Sequence, residues 1–460
     1  MVEIFSHHLV VLSKYPKCIG RNENMGFQIL RGADQIGGAI VQITTDADTK
    51  IWVDFGMELS VDEEQSSDDQ MIAMMQAADT RPDAVFFTHI HGDHIGLLSH
   101  IPDGVDIFIG RVGQLLMENI RDTLLNIESL SDEERKILER EKTLLSGKNV
   151  RFYKNREEDY YKDIRFKALR VDHSAFDAYM LRFEADGKTY VHTGDYRSHG
   201  RLGKNLTEDI KKHLTDKPVD VLFTEGTMMS RQNQKVLSEE EMQKTATDIL
   251  RNHPYSFLIC SSTNLESIAS FYWAAYQSTD KKKALYCNSY VKKQLQLFTE
   301  LVGEDERDWR FQFHRSYIIS LDKKLRRKTD PLFNMTQYEY MLKEGFVMMI
   351  GSSEYYREIM EKFKDCNPKP VLIYSMWDGY LDENEEYAKP ELIAVVRQAE
   401  KWEFDIEHLH TSGHADPETI AEVITTINPK EAIVPIHTEN PKGFMNLGIS
   451  DDLKKRIKIR

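Results

Sequence analysis

Apolar residues in this chain fall into short runs that stop abruptly at polar, ligand-type side chains. Residues 27–30, 40–43 and 50–56 have the composition of strands, and Asp46-Ala47-Asp48 predicts a hairpin between the last two. Residues 84–87 are wholly apolar and read as a buried strand. Further strands are predicted at 150–153, 164–169, 179–184, 189–192 and 219–223. Asp186-Gly187, between two of them, is a type I′ turn signal. Helical spacing covers 115–127, and Ser131 with Glu134 forms a capping box that opens a charged helix through Leu145. From about residue 232 the pattern changes. Apolar strands at 257–260, 284–287, 346–350 and 371–375 alternate with amphipathic helices, two of them opened by Ser238 with Glu241 and by Thr263 with Glu266. That alternation predicts a parallel α/β sheet. After about residue 402 the earlier pattern returns, so the chain divides into 1–232, 233–403 and 404–460, with the middle segment inserted into the unit made by the other two.

The polar ends of the runs carry the chemistry. The strand at 84–87 leads into His89-Ile90-His91-Gly92-Asp93-His94. His89 and His91 are two apart, so on an extended backbone they point the same way. Four N/O ligands buried together without a cation carry a desolvation cost that nothing local offsets, so the stretch reads as a metal site. Asp54 ends a strand beside Gly56 and reads as a residue that orients histidine ligands. His173 sits at a strand end before a loop. Asp195 follows Gly194 at another strand edge and is suited to bridge two cations. Glu225 repeats the arrangement, and His414 and His437 follow the inserted segment.

Composition narrows the classes. The 460 residues carry a net charge of -15, so the molecule as a whole does not attract polyanions. Lysine and arginine clusters at 281–283, 292–293 and 323–328 are local exceptions that read equally as phosphate contacts or solvated faces. Trp309 and Trp377 are candidates for base stacking or for plain packing. Residues 1–23, with Lys14, Cys18 and Arg21, read as a loosely docked arm, and the basic residues 454–460 as a solvated helix end. Cys18, Cys260, Cys287 and Cys366 are far apart with no CxxC, which fits a reducing setting rather than a disulfide framework. With no signal-peptide pattern and no run of ~20 uncharged apolar residues, a soluble, cytoplasmic protein without a membrane partner is expected.

On His89-Ile90-His91-Gly92-Asp93-His94, His173 and Asp195, the sequence resembles the metallo-β-lactamase superfamily. It resembles more narrowly the β-CASP branch, which includes ribonuclease J and the endonuclease subunit of the mRNA 3′-end cleavage factor. That branch places an α/β cap between an acidic motif, matched by Glu225, and a histidine motif, matched by Ser412-Gly413-His414-Ala415. Pro435-Ile436-His437 matches its last motif. The resemblance spans residues 27 to about 441. It implies an α/β fold, an αββα sandwich with an inserted α/β cap domain. It implies two zinc ions, with manganese as the alternative: His89, His91 and His173 on one, Asp93, His94 and His437 on the other, and Asp195 bridging. It further implies phosphodiester hydrolysis by metal-activated water, leaving a 5′-phosphate and a 3′-hydroxyl, with Asp93, Glu225 and His414 catalytic and His414 protonating the leaving oxygen. A histidine at the last motif goes with RNA-cleaving members, so single-stranded RNA is the expected partner. Two departures stand out. No counterpart of the extra C-terminal domain of ribonuclease J follows His437, which leaves the class within the branch and the oligomeric state open, a homo-oligomer included. The serine-rich loop that holds a substrate phosphate is not plain, and Ser375 and Ser412 are its candidate substitutes. Hydrolysis of a small phosphodiester or another ester, and a non-catalytic RNA-processing subunit, are the rival readings.

Overall fold

Why these apolar runs end at one place is a matter of sheet topology. The computed structural model describes residues 26–59, 67–231, 236–280, 282–303, 309–321, 335–384 and 387–459. The first sheet holds β1 (Phe27–Arg31), β2 (Ile40–Thr44), β3 (Lys50–Val53), β4 (Ala84–Phe86), β5 (Asp106–Ile109) and β6 (Val150–Phe152), in that order. Its first three strands are antiparallel, and the rest run parallel to β3. A second sheet takes β7 (Glu158–Tyr161), β8 (Ile164–Val171), β9 (Ala178–Ala185), β10 (Lys188–His192) and β11 (Val221–Glu225). The chain then leaves to build a third sheet from β12 (Tyr255–Cys260), β13 (Ala284–Cys287), β14 (Ser316–Ile318), β15 (Phe346–Met349), β16 (Val371–Ser375) and β17 (Asp405–His408). It returns as β18 (Ala432–Ile436), which completes the second sheet by pairing parallel to β11.

Alternation along the strands gives each sheet two buried faces. Phe27, Val53, Phe86 and Phe108 of the first sheet meet Phe166, Phe183, Phe223 and Val434 of the second, with Phe86 edge-on to Phe183 at 5.1 Å. The outer face of the first sheet, with Trp52, Val85 and Ile107, is covered by helices Asp68–Gln76 and Arg111–Leu125. That of the second, with Val191, Leu222 and Ile433, is covered by helices Leu206–His213 and Pro417–Ile427. The result is the expected αββα sandwich with an inserted α/β unit. The third sheet is parallel throughout and buried on both faces, as such sheets must be. No described helix is long and apolar enough to cross a membrane.

Several local expectations are met and some are corrected. Asp186 and Gly187 have φ of 50° and 75°, the type I′ geometry. The Ser131 and Ser238 capping boxes both form. Thr263 and Glu266 do not form one. Asn264 caps helix Leu265–Ser278 instead, because Glu266 is turned inward and bound by Arg197. The third sheet continues beyond residue 403 through β17, an edge strand of mixed polarity that gives no apolar run. Lys283 is buried and donates to the carbonyls of Leu250 and His253, and Lys292 donates to Ser316, so neither lies free on a basic face. The arm at 1–23, Lys281 and the cluster at 323–328 lie outside the described residues. The basic tail is tied to the second sheet, where Ile457 bridges Ile433.

One guanidinium joins the third sheet to the sandwich. Arg197 follows β10 and is fully buried. It donates from Nε to Asp172 at 2.7 Å and from Nη2 to Glu239 and Glu266, both at 3.1 Å. Its Nη1 reaches the Ser412 carbonyl at 3.1 Å. Burial and the Asp172 charge push the Glu266 carboxyl up to about 8, so it keeps its proton near neutral pH. Removing one partner of a buried ionic cluster leaves the others unpaired, typically at a cost of about 3–5 kcal/mol. Arg197→Leu should therefore lower the unfolding free energy by an amount of that size, seen as a lower urea midpoint. A midpoint within error of wild type would show that the cluster does not hold the two parts together.

Candidate metal centre

The strand ends deliver their side chains to one point. His89, His91, Asp93 and His94 follow β4, His173 follows β8, Asp195 follows β10, Glu225 ends β11 and His437 follows β18. Asp54, just past β3, and His437 have φ of 63° and 50°, a costly conformation for non-glycine residues that recurs at functional sites. Gly56 lets the chain pass directly under Asp93, since a Cβ there would sit 1.8 Å from the Asp93 carbonyl oxygen.

Two groups of ligand atoms form. In the first, His91 Nδ1 lies 3.2 Å from His89 Nε2 and 3.1 Å from His173 Nε2. Nitrogens at a tetrahedral zinc with bonds of 2.0–2.1 Å stand ~3.3 Å apart, so the spacing fits. In the second, Asp93 Oδ2 lies 3.0 Å from His437 Nε2 and 3.7 Å from His94 Nε2. Asp195 Oδ2 is between them, 3.2 Å from His94 Nε2, 3.9 Å from His89 Nε2 and 4.0 Å from His173 Nε2. Both groups, and Asp195 with members of each, could hold a cation. The chemistry of the donors supports this. Among the described residues, His94 Nε2 and Asp195 Oδ1 are buried with no hydrogen-bond partner, and a metal ion would satisfy such atoms.

Neighbours fix which ring nitrogen faces the centre. Asp54 accepts from the Thr88 N–H at 2.7 Å and lies 2.8 Å from His94 Nδ1, which leaves Nε2 for the centre. The Gly413 carbonyl lies 2.6 Å from His173 Nδ1, and Thr227 Oγ1 lies 2.9 Å from His437 Nδ1. Glu225 lies 3.0 Å from His414 Nδ1, and His414 Nδ1 is 3.6 Å from Asp195 Oδ2. Ser412 accepts from the His414 N–H at 3.0 Å, so it shapes that loop. Ser375, at the end of β16, is buried in the cleft wall beside the Cys260 thiol.

The electrostatics of the centre favour positive charge. Burial raises the Asp195 carboxyl, yet His437, His94 and His414 together hold it well below the usual range. Burial likewise disfavours a charged His94, but Asp195, Asp93 and Asp54 overcome it and raise its pKa well above normal. In the metal-free chain a proton on His94 supplies the charge. Burial lowers His414, but Glu225 and Asp195 raise it on balance.

Sequence reading assigned no role to Thr88, Thr227, Asp172, Arg197 or the Gly413 carbonyl. Thr88 and Thr227 stand next to motif residues, which is the only signal available.

Residues 402–442, which contain His414 and His437, match a family described as a Zn-dependent metallo-hydrolase RNA specificity domain. No curated protein sequence matches the chain. Among solved structures, the crystal structure of a protein of unknown function from Enterococcus faecalis V583 matches with a TM-score of 0.67 and 19% identity, over 91% of this chain and 95% of that one. At that identity the likeness is one of fold.

Burial depresses His91, His192 and His410 to about 4, against ~6.5 in an unfolded chain. Between pH 4 and 6.5 the unfolded chain binds those protons and the native one does not, so stability falls as pH falls. Glu266, raised to about 8, opposes with one proton. His89 and His173, held lower still by burial, add to the same slope, so the metal-free protein should lose at least about 2–3 kcal/mol per pH unit in the middle of that window, read from urea denaturation after chelation. Stability that is flat or rises on acidification would contradict the burial of these rings.

Proposed function

We propose that the chain is a member of the metallo-β-lactamase superfamily, and within it a metal-dependent nuclease of the β-CASP branch that hydrolyses phosphodiester bonds in single-stranded RNA. One observation carries the reading. The Glu225–His414 pair stands beside Asp195 at the floor of a cleft of about 930 Å³, and the wall opposite comes from the third sheet and its loops. A hydrolase of simple esters needs the cations but not this added pair and wall. The matched RNA specificity domain contains both His414 and His437 and supports RNA over DNA.

His89, His91 and His173 would hold one zinc, Asp93, His94 and His437 the other, with Asp195 shared and manganese the alternative metal. Bound there, the ions supply a water of lowered pKa and a positive field on the phosphoryl oxygens. The chain's own groups do the rest. Asp93, the more exposed of the two acids at the centre, is placed to take a proton from the attacking water. His414, its Nδ1 turned to Glu225, would act in its protonated form, passing the Nε2 proton to the leaving 3′-oxygen. The products are a 5′-phosphate and a 3′-hydroxyl. Cys260 and Cys287 are buried as free thiols, which suits the reducing cytoplasm.

With zinc or manganese the protein should cleave 5′- and 3′-labelled single-stranded RNA, and Asp93→Ala with His94→Ala should abolish cleavage. His414→Ala should lower kcat by about 10²–10⁴ on RNA. It should lose far less on a p-nitrophenyl nucleotide ester, whose leaving group needs no proton. Intact RNA with hydrolysis of a small phosphodiester would favour the small-ester reading. No stoichiometric metal would favour a non-catalytic subunit. Equal losses on both substrates would remove His414 from the acid role.

A further inference from the structure

The loop that carries His414 is also the chain's way back from the third sheet to the sandwich. It leaves β17 after the Leu409 N–H meets the Tyr374 carbonyl at 3.0 Å, and it enters helix Pro417–Ile427, which Asp416 caps. Thr411 still donates to the Leu237 carbonyl, in the segment that leads out to the inserted unit. A shift of that unit reaches His414 unless the loop is fastened to the sandwich in between. Glu225 meets the loop only at His414 Nδ1 and at the Ala415 N–H, 3.3 Å away, and so acts at and after the histidine.

The fastening ahead of His414 falls on the Ser412 carbonyl. It accepts from Arg197 Nη1 at 3.1 Å and from His199 Nε2 at 2.7 Å. The Ser412 hydroxyl reaches only the Met228 sulfur at 3.5 Å, a weak acceptor. A carbonyl oxygen cannot donate, so His199 carries a proton on Nε2 in this contact. Burial and the Arg197 charge hold the His199 pKa below its ordinary value, which favours the neutral ring. Its Nδ1 is buried with no hydrogen-bond partner among the described residues. The ring is thus committed to one bond, whereas Arg197 also serves Asp172, Glu239 and Glu266.

The surrounding chain aims that ring. Residues 197–203 close on Asp172. The Arg197 N–H donates to the Asp172 carbonyl at 2.8 Å, and the Leu202 and Gly203 N–H groups donate to its carboxylate at 2.8 and 2.9 Å. Gly200 lets the turn pass this close, since a Cβ there would lie 2.2 Å from Asp172 Oδ2. Ser198 meets Thr419, hydroxyl to hydroxyl, at 2.7 Å. The His199 carbonyl accepts at 3.0 Å from the N–H of Glu239, the first residue of helix Glu239–Asn252 in the inserted unit. One residue therefore touches the inserted unit through its backbone and the His414 loop through its ring.

We propose that His199 is a positioning residue for His414: together with Arg197 it pins the Ser412 carbonyl to the sandwich and so keeps His414 beside Glu225, in place for the leaving oxygen. His199 takes no proton from the reacting atoms and gives none. This rests on the nuclease reading, in which His414 protonates the leaving 3′-oxygen.

The test uses the full metal-loaded chain, with single-stranded RNA and a p-nitrophenyl nucleotide ester as substrates. His199→Ala should lower kcat on RNA by about 10- to 100-fold, the effect of displacing a reacting group by about an ångström. KM for RNA, and kcat on the ester, should stay within about threefold of wild type. Bound metal should be unchanged. His199→Gln, whose amide N–H can replace the Nε2 proton, should bring kcat on RNA back to within about threefold of wild type. On a His414→Ala background, His199→Ala should change kcat on RNA by less than about threefold. Unchanged kcat in His199→Ala, equal losses on both substrates, loss of bound metal, no recovery in His199→Gln, or a full further loss on the His414→Ala background would each overturn the positioning role. With wild type cleaving RNA, the nuclease reading would stand in all of these cases. A wild type that leaves RNA intact yet hydrolyses the ester would overturn both.

Discussion

The Asp195 carboxylate has to be held, almost fully buried, among ring nitrogens that arrive from separate strand ends. Its Oδ2 lies 3.2 Å from His94, 3.6 Å from His414 and 3.9 Å from both His89 and His437, while its Oδ1 has no hydrogen-bond partner among the described residues. Asp54 and Glu225 are buried in the same cluster, and Asp93 stands at its edge. The effective cost of burying such charge is several kcal/mol per ion unless opposite charge balances it. A proton on His94 is a partial remedy, and it occupies the very nitrogen a metal needs. Two divalent cations would balance the acids and leave the imidazoles that hold them neutral, the state in which imidazole binds metal.

The sandwich serves that balance. Its strands end at one edge, and three imidazoles of the centre are oriented from behind: His94 by Asp54, His173 by the Gly413 carbonyl, His437 by Thr227. Such partners settle which ring nitrogen is free. Arg197 carries the constraint outward. It binds the residue before His173, the carbonyl two residues before His414, and two helices that cover the third sheet. The centre and the wall of its cleft are thereby tied to the same buried group.

The sequence made the centre legible because its ligands sit in short local patterns, either packed into six residues as at His89 to His94 or released where an apolar run stops. The insertion was legible for the same reason, as a change of period. What escaped depends on contacts without local signature. Arg197 meets partners 25, 42, 69 and 215 residues away. Glu266 had the spacing of a capping residue, yet a buried guanidinium offered it more than a helix end did. Lys283 looked like part of a basic face and is buried against two carbonyls. The Arg231 guanidinium lies over the Trp377 ring, and the two are too far apart in the chain for this to be foreseen.

The count of cations per chain tests the account most directly. Metal analysis of the purified protein, with calorimetric titration of zinc into the chelated form, should give two per chain. Asp195→Asn should weaken both sites together, because one carboxylate serves both. A single site, or two sites of which only one responds to Asp195→Asn, would contradict a shared carboxylate at the heart of the fold.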